Sequence, residues 1–109
     1  MNKILSLMGL CRRAGKLSAG HDMVMQSVRN EKAQAVILTS DASPRHRREL
    51  EAADFKKPVI ALDCDMNAAG AATGKRSCIF SVEDSGFARQ IQKIYEGGLV
   101  ADGSKIQDT

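Results

Sequence analysis

Residues 35–48 read AVILTSDASPRHRR. Ala35 to Thr39 is an unbroken apolar run whose length and branching make it a strand covered on both faces. Ser43-Pro44 then supplies a helix start: a hydroxyl cap followed by proline at the first helical position, where a missing N–H costs nothing. That helix is predicted to reach about Ala53. A buried strand passing straight into a helix is the repeating unit of a layered α/β fold.

The unit recurs outward along the chain. Lys57-Pro58 forces extension, and Val59–Leu62 reads as a second buried strand. Met66–Thr73 is predicted helical, closed by Gly74, and Cys78–Val82 is a third strand. Ser85 is read as the cap of a last helix carrying Phe87, Ala88, Ile91, Ile94 and Tyr95, ended by Gly97-Gly98. Upstream, Ile4, Leu7, Met8, Cys11 and Ala14 recur at helical spacing behind an Asn2 cap, with Gly15 as the stop. Leu17–Ala19 is a short extended piece. From Gly20 a further helix places Met23, Val24, Ser27 and Val28 on one face and stops at Asn30. Strands buried on both faces require helices on both sides. The expected fold is α/β: a three-layer α/β/α sandwich around a small mixed, mostly four-stranded sheet. Residues 1–98 are expected to form one domain, with 99–109 a flexible C-terminal tail.

A chain of 109 residues suits one domain, and 43% apolar residues with only 4% aromatics predict an aliphatic core. No apolar run approaches the ~20 residues of a membrane span. The first apolar stretch runs into Arg12 and Arg13 rather than a small-residue cleavage site, so it is read as an amphipathic helix of a cytoplasmic protein. Cys11, Cys64 and Cys78 are odd in number and form no CxxC pair, so they read as buried, inert thiols. Residues 1–60 hold 11 Lys/Arg and 6 Asp/Glu, a net +5; residues 61–109 hold 5 and 7, a net −2. A basic half favours a polyanionic partner.

Four groups of residues bear on chemistry. Gly20 opens a helix with no side-chain cap, leaving N–H groups and the positive end of the macrodipole for an anion. Asp22 behind it suits the donor edge of a guanine, and Gln26, one turn on, can donate or accept. Arg45, Arg47 and Arg48 crowd the start of a helix, where the macrodipole disfavours cations by ~0.3–1 kcal/mol each. Contact with phosphate is the gain that would offset this, and a solvated basic face is the plain alternative. Arg12, Arg13 and Lys16 surround a helix C-terminus, which welcomes them. Gly70 to Arg76 resembles a phosphate-binding P-loop but fails it. Three residues separate the glycines where four are needed, and Arg76 stands where a Ser or Thr must. Asp63 and Asp65 read as a capping turn. No nucleophile elbow accompanies His21 or His46, and no catalytic set, cofactor or metal site is expected.

Leu10-Cys11-Arg12-Arg13-Ala14-Gly15-Lys16-Leu17, then Gly20, Lys32 to Leu38 and Ser40-Asp41-Ala42-Ser43, looks like the L-seven-Ae and L-thirty-e ribosomal protein family of kink-turn RNA binders, most closely its small bacterial branch. Pro58-Val59, the helix ending in Gly74-Lys75, and Asp84 to Ala88 extend the likeness over roughly residues 3–95. The resemblance implies the same sandwich, with one end of the sheet binding RNA. Carried over by position, the contacts are Gly20, Asp22, Met23 and Gln26, then Asp41 and Ser43, then Lys75, Arg76 and Ser77. Lys16, His21, Arg45, Arg47 and Arg48 complete the expected surface. Kink-turn binders of the family follow the glycine with Asn-Glu or Lys-Gln and place a lysine three residues later. This chain has Asp22-Met23 at the pair and Gln26, three residues after Met23, in place of the lysine, so the arginine-rich helix start is read as serving a different RNA geometry. The expected partner is structured RNA, kink-turn-like or ribosomal, for a ribosome-associated monomer in contact with translation components. The competing expectation is a protein-interaction module on the transcription or translation machinery.

Overall fold

Asn2 opens the first helix, α1 (Lys3–Arg13). In the computed structural model, which describes residues 2–102, its side-chain oxygen accepts from the N–H groups of Ile4 and Leu5 at 2.9 and 3.1 Å. Those are two of the donors that a helix start leaves without partners. Gly15 at φ 74° ends the turn beyond α1, and β1 (Leu17–Ala19) follows. Then come α2 (His21–Arg29), β2 (Ala35–Leu38), α3 (Pro44–Ala52) and β3 (Val59–Ala61). The chain continues through α4 (Met66–Thr73), β4 (Ile79–Val82) and α5 (Ser85–Asp102). Ser43 caps α3 as its sequence predicts, accepting from Arg45 N–H at 3.2 Å, and Asp65 caps α4 through Ala68 N–H at 3.0 Å.

Two expectations about α5 are corrected. Its cap is Asp84, not Ser85: the carboxylate accepts from Phe87 N–H at 2.8 Å. The helix also runs through Gly97-Gly98 to Asp102, because a glycine costs a helix only about 1 kcal/mol and does not by itself stop it. Of the segment expected as a tail, residues 99–102 are therefore helical, and residues 103–109 lie outside the described residues.

The sheet order is β1-β4-β2-β3. The last strand in the chain lies between the first two, antiparallel to both, while β2 and β3 run parallel. Successive residues of β2 point to opposite faces. Ala35 and Ile37 join Phe80, Val82 and Ile60 under α1, α4 and α5 through Met8, Cys11, Ala69 and Ile91. Val36 and Leu38 join Ile79 under α2 and α3 through Val24, Val28 and Leu50. This is the three-layer sandwich with a mixed four-stranded sheet.

α1 and α4 approach closely at Gly9, where a Cβ would stand 2.8 Å from the carbonyl oxygen of Ala72. At the end of the sheet reached by Val82, Glu83 N–H donates to the Lys16 carbonyl at 2.8 Å. The Glu83 carboxylate accepts from Ser18 Oγ at 2.7 Å and more weakly from Ser81 Oγ at 3.4 Å. Burial pushes this carboxyl up, but the hydroxyls of Ser27, Ser18 and Ser81, with Lys32, outweigh it and hold it below the ordinary carboxylate value. Ser27 acts here as a nearby dipole only, since its buried Oγ makes no hydrogen bond of good geometry. Cys11 is buried, with a thiol pushed up to about 11 chiefly by that burial. Cys64 and Cys78, expected to be buried, are half-exposed at the sheet's other end.

Gly9→Ala is expected to destabilise the fold by about 1–3 kcal/mol, because the neighbour it meets is backbone; a urea midpoint equal to the parent's would refute the tight α1–α4 packing. A lowered folded-state pKa at Glu83 means that its contribution is complete above the ordinary value of 4.5 and disappears as pH falls through the lower folded value. The Glu83→Gln variant should therefore lose less stability than the parent between neutral and acid pH, as followed by thermal melts at several pH values.

Candidate nucleic-acid interface

The strand order gathers four separate loops at one end of the sheet. Gly20 N–H, after β1, donates to the Ile79 carbonyl at 3.1 Å. Thr39 N–H, after β2, donates to the Cys78 carbonyl at 3.0 Å, and Ser40 N–H donates to the Cys64 carbonyl, after β3, at 2.8 Å. Asp41 completes the web. Its carboxylate accepts from Thr39 Oγ1 at 2.6 Å and from Met66 N–H, at the start of α4, at 3.1 Å. The Thr39 hydroxyl first, then the Met66 N–H, hold its carboxyl below the ordinary range.

Gly20 has φ 96° and ψ 151°, a region closed to residues with a Cβ. The backbone angle, rather than crowding, demands glycine: a Cβ built there meets no atom within 4 Å. The point where a Gly20 side chain would start is open space, and no side-chain cap hydrogen bond is made at the start of α2. Asp22 and Gln26 are exposed around it, and Met23 is 55% exposed, an unusual position for a large apolar side chain.

His21 joins this opening to α3. Its Nε2 lies 2.6 Å from Glu49 Oε1 and its Nδ1 lies 3.1 Å from Asp22 Oδ1. Asp22, then Glu49, raise its pKa and favour the cation. His46 stands 5.7 Å away, ring to ring. Burial first, then His21 and Arg45, lower its pKa and favour the neutral ring.

The three arginines of α3 do not act as one group. Arg45 leans toward the His21 side, with Nε 3.9 Å from Glu49 Oε2. Arg47 and Arg48 line a hollow of about 420 Å³ with Ser43, Pro44 and Leu62. Lys75 and Arg76 sit on the loop leading into β4, where Arg76 Nε donates to Asn67 Oδ1 at 2.6 Å. Gly74, at φ 81°, closes α4 as a helix stop rather than a phosphate loop. The guanidinium of Arg12 donates to the Thr73 carbonyl beside it.

Most of the expected site residues are therefore neighbours: Gly20, His21, Asp22, Met23 and Gln26 on one loop and helix, Asp41, Ser43 and the arginines on the next, and Lys75 to Ser77 on a third. Besides His21, Asp22, Arg45 and Arg76, whose contacts are given above, three more are already engaged. Asp41 ties two loops together, Ser43 caps α3, and Ser77 Oγ exchanges hydrogen bonds with the backbone of Ile79 at 3.0 and 3.3 Å. Lys16 is corrected. It precedes β1, and its carbonyl meets Glu83 at the opposite end of the sheet. Asn67 and Glu49 carry no signal of their own in the sequence, and His46 reads there only as a histidine without a nucleophile; each gains its neighbours through the fold.

The family model for ribosomal protein L7Ae/L30e/S12e/Gadd45 matches residues 2–91. RNA-binding protein YlxQ of Enterococcus faecium is 31% identical over 97 residues, 87% of this chain and 93% of that protein. RNA-binding protein YlxQ of Bacillus subtilis (strain 168) is 32% identical over 88 residues, 78% and 87% of the two chains. A solved structure from Bacillus halodurans, described as a protein with unknown function, superposes with a TM-score of 0.80 at 31% identity, over 88% of this chain and 99% of that one. The Giardia lamblia 15.5kD RNA binding protein shares the fold at a TM-score of 0.70 and 22% identity, over 86% and 85%.

Asp41→Ala removes the acceptor for Met66 N–H and Thr39 Oγ1 together. It is expected to lower the melting temperature and speed amide exchange at Met66; unchanged exchange there would show that the loops hold without it.

Proposed function

Because the chain belongs to the ribosomal protein L7Ae/L30e/S12e/Gadd45 family, we propose that it is a non-catalytic RNA-binding protein that docks structured RNA, kink-turn-like or ribosomal, on the Gly20 end of its sheet. One observation carries the reading: α2 starts at Gly20 without a side-chain cap, and a Cβ there would meet open space, with Arg45 in the first turn of α3 and Lys75 and Arg76 on the loop before β4. Helix-start amides and a macrodipole favour a phosphate there, and exposed guanidinium groups give it bidentate hydrogen bonds. Asp22 accepts from the donor edge of a guanine, Gln26 reads a neighbouring base edge, and Met23 offers an apolar surface to a base or sugar. Arg47 and Arg48 extend the track of phosphate contacts past the edge of α3. A protein that works this way acts as a monomer in the cytoplasm, in association with the ribosome. Both curated relatives carry RNA-binding in their names, which supports the partner class.

The test is a titration of structured RNA, a kink-turn hairpin beside a ribosomal RNA fragment, at salt from about 50 to 200 mM. Affinity is expected to fall steeply and linearly on logarithmic axes. Arg47→Ala with Arg48→Ala should weaken binding and reduce that slope by about two, one for each lost phosphate contact. Arg29→Ala, at the far end of α2, should change neither. Binding that is insensitive to salt and to the arginine pair would instead indicate a protein partner for this surface.

A further inference from the structure

The RNA reading makes no use of His46, a buried residue of α3. We propose that His21, His46 and Glu49 form a zinc(II) site that ties the start of α2 to α3. One ring nitrogen from each histidine and a carboxylate oxygen of Glu49 all lie within 4.8 Å of one another. His46 supplies the independent sign of a ligand. It is 6% exposed, its Nδ1 is buried without any hydrogen-bond partner, and its Nε2 meets only Cys78 Sγ at 3.5 Å. Such a ring can give a nitrogen to a metal without surrendering a hydrogen bond on which the fold relies, and a contact at the remaining nitrogen orients it.

Two imidazoles and one carboxylate match the chemistry of zinc. Calcium and magnesium prefer oxygen alone. Three protein ligands leave a fourth position for water or an incoming oxygen. Bonds of ~2.0–2.1 Å in a tetrahedron place ligand atoms about 3.3 Å apart. The His21–Glu49 pair, at 2.6 Å, would open slightly, and the widest pair would close by rotation of side chains. Zinc would take the place of the hydrogen between His21 Nε2 and Glu49 Oε1, while Glu49 Oε2 keeps its neighbour Arg45. His46 and Glu49 stand three apart on one helical face, and His21 comes from the first turn of α2. A metal there would hold α2 and α3 at a fixed angle, beside the opening at Gly20.

The experiment is a titration of the full chain with zinc chloride, in the absence of RNA, by calorimetry and thermal melting. One saturable equivalent and a melting temperature that climbs with zinc concentration are expected. His21→Ala and Glu49→Gln alter half-exposed side chains and should keep the fold, and each should weaken zinc at least tenfold. Cobalt(II) in the same site should give the visible bands of a four-coordinate nitrogen and oxygen set, without a thiolate charge-transfer band. Absence of saturable binding, undiminished affinity in His21→Ala, or a thiolate band that persists in that variant would overturn the assignment. These results do not involve RNA, so they leave the RNA reading to its own test.

Discussion

The position of β4 governs everything else in this molecule. The last strand of the chain enters the sheet between β1 and β2, antiparallel to both, with Phe80 and Ser81 fully buried. Its backbone is what the neighbouring loops are hung on. The carbonyls of Cys78 and Ile79 take the N–H groups of Thr39 and Gly20, so a loop near residue 20 and one near residue 40 are fixed against the same few atoms. Parallel pairing of β2 with β3 then brings the Cys64 loop to Ser40. Remove that strand, and the residues around Gly20, Asp41 and Arg76 have no reason to meet.

Capping chemistry is unevenly used among the helices. Ser43, Asp65 and Asp84 each satisfy a backbone donor at the helix they precede. Gly20 does not, and its conformation bars any residue that could. The first-turn amides of α2 therefore lack the side-chain acceptor that those helices have. The arginines of α3 follow the same logic. They stand where the macrodipole disfavours them; Arg45 lies 3.9 Å from Glu49, and Arg47 and Arg48 line one hollow with Glu51. Stability alone would have selected acids in those positions.

The two histidines illustrate how burial divides similar groups. His21, between Asp22 and Glu49, is drawn toward the cation. His46, a short distance inward, is held neutral by desolvation and by the positive charges that face it. A neutral buried imidazole beside a carboxylate and a second imidazole is a different object from a basic patch. The proposed RNA surface and the proposed zinc site therefore draw on different groups, exposed cations for the one and a buried imidazole with a carboxylate for the other.

Local chemistry was legible from the residues alone. Asn2, Ser43-Pro44, Asp65 and Gly74 announce helix ends through their own side chains or backbone freedom, and AVIL at 35–38 announces a buried strand through the absence of any polar position. These features depend on neighbours within a turn or two, so one chain segment determines them. The ends of α5 were misread for the same reason in reverse. Asp84 and Ser85 are both good caps, and only the helix geometry chooses between them; Gly97-Gly98 weakens a helix without ending it. Which strand lies beside which, that Lys16 stands at the far end from Gly20, and that His21 meets His46 and Glu49 were decided by tertiary structure. Those distances arise from the burial of β4 between β1 and β2, a competition among all apolar faces at once, which no local pattern of residues contains.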